Sequence, residues 1–194
     1  MDYRGDKYYL GKVLNGDSNA YGFIVDRHKD KVFSLAHKIC GSFEDAEEVA
    51  QDSFLKAYRS LRSFRGSSSF STWLYRITYN TAVSSIRKKN PGILQVEDFP
   101  ADAADFLRDS ESDEMAEKEY RRSLLNFAIQ KLAIEERALV GMFYFQELDH
   151  DEIASITGLT KSNVKVKLFR ARKRIEEIII KNRVKENIEY EKVG

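Results

Sequence analysis

Residues 148–175 read LDHDEIASITGLTKSNVKVKLFRARKRI, and this stretch decides the fold class. A short periodic segment carries Ile153, Ala154 and Ile156. It opens at Asp149, with Glu152 three residues on as in a capping box, and stops at the glycine turn Thr157-Gly158-Leu159-Thr160. A longer helix runs from Lys161 to about Lys181. With Val164 at zero on a helical wheel, Leu168, Ala171 and Ile175 fall within about 40° of it and form a core stripe. The opposite face carries Ser162, Val166, Phe169 and Lys173. It is flanked by Lys161, Lys165 and Arg172 on one side and by Lys167, Arg170 and Arg174 on the other. From Thr160 to Ile175 there are seven bases and no acid, whereas a solvated helix balancing its charge places acids four residues from its lysines. Short helix, glycine turn and long basic helix form the helix-turn-helix pattern. Flanking cations suit two phosphate rails, and the small and apolar groups between them suit base edges, including thymine methyls.

Upstream, Leu124, Leu125, Ala128, Ile129 and Leu132 mark one helix and Ala138 to Phe145 another. Between Ile93 and Glu119 the composition shifts to ten acids against two bases, a net of −8. This predicts a mobile acidic linker with a short helix near Ala103 to Leu107. Its acids also suit competition with nucleic acid for the basic faces on either side. Asn90-Pro91-Gly92 separates it from the first half.

From about Asp17 to Lys89 the chain reads as successive amphipathic helices. Ile24, Val32, Phe33, Ala36, Ile39 and Cys40 make a stripe ending at Gly41, a suitable C-terminal glycine. In the next helix Asp45 is the candidate N-cap, with Glu48 three residues on. Ala46, Val49, Ala50, Ser53, Phe54, Ala57, Tyr58 and Leu61 then define one buried face. Opposite lie Glu48, Gln51, Asp52, Leu55 and Arg59, an acidic strip around an exposed leucine that suits a basic protein partner rather than DNA.

The stretch FRGSSSFSTWLYRITYN, Phe64 to Asn80, sets a serine run beside aromatic rings and cations. Leu74, Ile77, Thr78, Thr81 and Ser85 form a modest inner face. Trp73, Arg76, Asn80, Ser84 and Arg87 share a second. Rings stack on exposed bases, arginines track the backbone and an amide reads a base edge, which together describe melted nucleic acid. Trp73 and Tyr79 as plain core aromatics are the competing reading. Strand signals are nearly absent, so both halves are expected to be all-α.

Composition sets outer bounds. The chain has 194 residues, 42% hydrophobic and 32% charged, with a net charge of +1, so any nucleic-acid affinity rests on how charge is distributed. The one cysteine, Cys40, has no intrachain partner and reads as a buried small hydrophobe. Neither a signal-peptide pattern nor a run of about 18 apolar residues occurs, which predicts a cytoplasmic location.

The run EDAEEVAQDSFLKAYRSLRSFRGSSSFSTWLYRITYNTAVSSIRKK resembles region 2 of bacterial sigma factors. LDHDEIASITGLTKSNVKVKLFRARKRI resembles their region 4. Together the resemblances span roughly Ala20 to Lys89 and Ser123 to Lys181, with only the acidic linker between, as in the short extracytoplasmic-function class. The resemblance implies an all-α chain of two small domains, region 2 over 1–92 and region 4 over 120–194, joined by the linker over 93–119. It implies docking of Asp45, Glu48, Gln51, Asp52, Phe54 and Leu55 on the clamp helices of the RNA polymerase largest subunit, and of region 4 on the flap of the second-largest. Ser67, Ser68, Ser69, Phe70 and Trp73 match the loop that captures a base flipped from the minus-ten element. Arg76, Asn80, Arg87 and Lys88 match the adjoining DNA-contacting helix. Lys161, Ser162, Lys165, Val166, Lys167, Phe169, Arg170, Lys173 and Arg174 fall in the helix that reads the minus-thirty-five element. Promoter DNA, duplex and melted, and an anti-sigma factor are the implied further partners, and no cofactor, small-molecule substrate or membrane insertion is implied. Ser84 stands where the family often has aspartate, so minus-ten preference does not transfer, and Ala133 replaces a frequent proline at a helix start.

Two other classes compete. A helix-turn-helix regulator acting without polymerase explains the second half and leaves the Leu55 and Trp73 faces idle. An enzyme would need a site, yet His28, His37 and His150 are scattered, and the acids of Asp149-His150-Asp151-Glu152 are those of a helix start.

Overall fold

Gly41 and Ser42 set the first corner of the fold. Gly41 ends a helix with φ of +84°, a left-handed conformation, and a Cβ there would meet the Gln130 side chain at 2.5 Å. Ser42 starts the next helix, its Oγ accepting the Asp45 N–H at 3.1 Å. The predicted cap at Asp45 is thus corrected to Ser42: the helix begins three residues earlier, and Asp45 sits in its first turn facing the helix dipole.

The computed structural model describes residues 5–89 and 113–193. In chain order the helices are α1 (Asp6–Leu14), α2 (Tyr21–Cys40), α3 (Phe43–Ser60), α4 (Phe70–Lys89), α5 (Asp113–Gln130), α6 (Ile134–Val140), α7 (His150–Thr157) and α8 (Lys161–Val193). A π-helical segment, Gly141–Phe145, continues α6, and no strand occurs among the described residues. Most of the acidic segment, including the expected helix near Ala103 to Leu107, lies outside the described residues. Its end is helical, since α5 starts at Asp113 rather than near Tyr120.

The first half is a three-helix packing of α2, α3 and α4, with α1 laid across α2. On α3 the predicted face is buried from Ala46 to Ala57 except that Tyr58 is 41% exposed, its ring turned edge-on to Tyr21 at 4.9 Å. In the second half α6, α7 and α8 pack together, with α5 against α8. Val164, Leu168 and Ala171 are buried as their spacing predicts, and Ile175 is half-buried. Leu125, predicted to be apolar core, is instead exposed.

One apolar cluster runs through both halves, from Tyr9 and Ile24 to Leu168 and Ala171. Helix α4 lies against α7, and the end of α2 lies against α6 and the π-helical segment. At that end, Arg137 of α6 donates to the Ile39 carbonyl (3.2 Å), to Gln130 Oε1 (2.7 Å) and to the Leu132 carbonyl (3.0 Å). Gln130 donates to the Lys38 carbonyl at 3.4 Å. Orphan carbonyls at a helix C-terminus need donors, and here residues about ninety positions later supply them. Lys38 completes the seam, with Nζ donating to Asn126 Oδ1 (2.7 Å) and standing 4.1 Å from the Phe145 ring centre.

Candidate nucleic-acid interface

Helix α4 has three faces, one more than its periodicity suggests. Leu74, Thr78 and Thr81 turn into the first half, where they are buried. Thr72 and Tyr75 turn toward the second half. Thr72 Oγ1 donates to Glu152 Oε1 and the Tyr75 hydroxyl to Gln146 Oε1, both long bonds at 3.4 Å. Burial pushes the Tyr75 phenol up to about 12. Tyr79, half-buried, is likewise raised by burial, with Glu135 adding to the rise and Arg87 and Lys167 opposing it. The remaining face, with Arg76, Asn80, Ser84, Arg87 and Lys88, is exposed.

Trp73 stands where this outer face meets the core. Its ring centre is 5.3 Å from Phe64 and 5.6 Å from Phe70, and the side chain is half-buried. Phe70 itself is 5% exposed and belongs to the core, so its ring is placed to support Trp73 rather than to meet DNA. Ser67 is exposed and Ser68 half-buried. Ser69 has a defined local role: its Oγ accepts the Thr72 N–H at 3.1 Å and lies 2.7 Å from Thr72 Oγ1, capping α4.

On α3, Glu48, Gln51, Asp52 and Leu55 are exposed, Leu55 at 52%. Phe54, grouped with them by the resemblance but placed on the inner face by its spacing, is buried, and its carbonyl accepts the Tyr21 hydroxyl at 2.8 Å. Asp45 and Glu48 both accept from Lys89 Nζ, at 2.5 and 2.9 Å, tying the end of α4 to this acidic strip. These bonds raise the lysine pKa.

Helix α8 presents Ser162, Lys165, Val166, Phe169, Arg170 and Lys173 to the surface, with Phe169 51% exposed under the Lys173 ammonium at 5.1 Å. The stretch has no acid of its own, but the fold supplies three. Lys161 pairs with Asp151 (2.6 Å), Lys167 with Glu135 (2.7 Å) and Arg174 with Glu136 (3.3 Å). Lys165, Arg170, Arg172 and Lys173 carry no ion pair among the described residues and remain the direct phosphate candidates. The capping box of α7 is as predicted: Asp149 accepts the Asp151 and Glu152 N–H groups at 2.8 Å, and the bond from Glu152 is the main cause of its lowered pKa.

The sequence reading missed α1, although Tyr9, Leu10 and Val13 at i, i+1 and i+4 after Asp6 carry its signal. Cys40 is half-buried, its thiol pushed up to about 11 chiefly by burial. No group of three or more His, Cys, Asp or Glu among the described residues is arranged to hold a metal ion. Nor is any helix among them long and apolar enough to cross a membrane.

Comparison with known proteins agrees with both halves of this arrangement. Residues 24–91 match the family model for Sigma-70 region 2, and residues 122–175 that for Sigma-70, region 4. The RNA polymerase sigma-H factor of Pseudomonas aeruginosa is 32% identical over 183 residues, covering 90% of this chain and 93% of that protein. The extracytoplasmic-function (ECF) sigma-E factor of Haemophilus influenzae is 34% identical over 181 residues, covering 90% and 95%. Among solved structures, CnrH in complex with the cytosolic domain of CnrY superposes with a TM-score of 0.63 at 21% identity, over 90% of this chain and 96% of that one. RpoE from Bartonella quintana, in complex with the anti-sigma factor NepR, gives 0.62 at 20% identity, over 82% and 96%.

The two regions, in this order on an all-α fold, define a transcription initiation factor. The chain belongs to the sigma-70 family of RNA polymerase sigma factors, in its ECF class. It binds polymerase core and promoter DNA and confers promoter specificity, and the reading as a regulator independent of polymerase falls away.

Proposed function

We propose that this sigma factor performs three contacts with separate faces. The α3 strip of Glu48, Gln51, Asp52 and Leu55 docks on the clamp helices of the polymerase largest subunit. The outer face of α4, with Trp73 and the serine loop at its head, holds the melted minus-ten strand and so promotes opening. The outer face of α8 reads the minus-thirty-five duplex in the major groove, while region 4 also meets the flap of the second-largest subunit. Residues 1–92 and 120–194 act as the two functional regions, the sequence between them as their connection. Catalysis remains with the polymerase, the work is cytoplasmic, and an anti-sigma factor is the regulatory partner.

The observation that carries this reading is the exposure of Arg76, Asn80, Arg87 and Lys88 on a helix whose other two faces are buried. A folding-only helix has no use for that concentration of donors beside a tryptophan.

The same reading demands motion. The two promoter elements, named for positions about 25 base pairs apart, are separated by roughly 85 Å of B-form DNA at about 3.4 Å per base pair. Helix α4 nevertheless lies in direct contact with α7, the helix that leads into α8. On a promoter the halves must part.

Arg76→Ala with Asn80→Ala tests the central contact, since both side chains are exposed and the fold should not change. Assayed as holoenzyme, the variant should open duplex promoters at least tenfold less well, from charged and neutral bonds worth about 1–3 kcal/mol each. A template already mismatched at the minus-ten element should recover most of the loss. Parental opening of duplex DNA would end this assignment of α4.

A further inference from the structure

Helix α1 precedes the residues that match region 2, which begin at residue 24, and its first residue reaches into that region. Asp6 Oδ1 accepts from Arg27 Nη1 at 2.7 Å, and Asp6 Oδ2 lies 3.0 Å from His28 Nε2. A carboxylate only accepts, so Nε2 carries the hydrogen and the bond fixes the ring's tautomer and tilt. The His28 side chain is 8% exposed, and its ring meets Phe70 edge-on with centres 5.6 Å apart. Phe70 in turn packs on Phe64 and Trp73, each 5.6 Å away between centres, and directly follows the Ser69 cap.

We propose that Asp6 and His28 are positioning residues for strand opening: through the imidazole they hold Phe70, and through Phe70 they set Trp73 and the serine loop. This rests on the assignment of α4 to the melted strand. It adds a function for α1, which packs chiefly on α2. A buried imidazole oriented by a helix from outside the matched region is more than core packing needs, since an apolar residue would fill the space without a partner. Loss of one such bond leaves a buried donor unpaired and the ring free to tilt.

Trp73 is the sole tryptophan, so its emission in the full chain reports the position directly. Asp6→Ala should raise acrylamide quenching of Trp73 and lower opening of duplex promoters roughly three- to tenfold. A pre-melted template should restore activity, and binding of minus-thirty-five duplex should be unchanged. Asp6→Asn keeps an acceptor oxygen for Nε2 and should recover most of both signals. Parental quenching and opening in Asp6→Ala would overturn the proposal, as would a lower melting temperature with Trp73 unaffected. In either case, impaired opening by Arg76→Ala/Asn80→Ala leaves the reading of α4 standing. If that double variant opens DNA normally, the reading of α4 has failed and this proposal with it.

Discussion

Arg137→Met should loosen the seam between the two halves. Methionine keeps much of the apolar stem but removes the donors to Ile39, Gln130 and Leu132. The guanidinium is half-buried, and burial lowers its pKa, so it stays in place because its bonds are made. Only the Ile39 bond crosses the seam directly. The Gln130 bond orients the amide that donates to the Lys38 carbonyl, a second crossing. A hydrogen bond to a charged donor contributes about 1.5–3 kcal/mol, so the seam should weaken by about 2 kcal/mol, roughly thirtyfold in the population of parted chains. For a chain of this size the melting temperature should fall by about 4–8 °C. Amides in the last turn of α2, whose carbonyls lose their caps, should exchange with solvent up to about thirtyfold faster, as read by hydrogen-exchange mass spectrometry. If parting precedes promoter binding, the variant should also need less sigma factor to saturate transcription from a two-element promoter. Unchanged exchange at 35–41 with a melting shift below about 1 °C would refute the claim that Arg137 closes the seam.

Leu55→Ala with Asp52→Ala should weaken capture of core polymerase without changing helical content or melting, because both side chains are exposed; full retention in a pull-down would remove the docking assignment. Cys40 should react slowly with Ellman's reagent near pH 8, on the order of a hundredfold below an unperturbed thiol. Since its folded pKa of about 11 lies above the unfolded one, its contribution to stability is complete below about pH 9 and is lost as pH rises toward 11, which Cys40→Ala should remove from the alkaline melting profile. Binding of duplex minus-thirty-five DNA should show a log–log salt slope near −4 if only Lys165, Arg170, Arg172 and Lys173 neutralise phosphates. A slope near −6 would mean that the acids on α6 and α7 release their lysines and arginine on binding.

Periodicity made much of this molecule legible. The α3 stripe, the Val164–Ala171 stripe, the Asp149–Glu152 box and the exposed basic face of α8 all follow from local spacing, because helix faces and caps are short-range properties. What escaped was set at long range. Tyr75 sits among the aromatic and basic residues of α4 yet is buried, because α7 and the Gln146 side chain, more than seventy residues later, cover that face. The family resemblance sets Phe70 among the surface contacts, whereas the packing of α1 through α4 puts it inside; for Phe54 the helical spacing, which assigns it to the buried face, is the better guide than the resemblance. The stretch 160–175 contains no acid, but Glu135, Glu136 and Asp151 arrive from neighbouring helices. Ser42 lost the cap assignment to Asp45 because Ser42-x-x-Asp45 and Asp45-x-x-Glu48 overlap, and only the chain reversal at Gly41 chooses between them.

The borrowed capping of α2 also limits how freely such proteins can be recombined. A chimera joining the first half of this chain to region 4 of a relative would present the Lys38 and Ile39 carbonyls to a surface that need not carry a donor opposite them. It would also set Gly41 against whatever replaces Gln130. Promoter-swapping designs built on this scaffold should therefore transplant Gln130 and Arg137 along with the reading helix. Otherwise the graft inherits a new DNA preference together with an altered balance between its closed and parted forms.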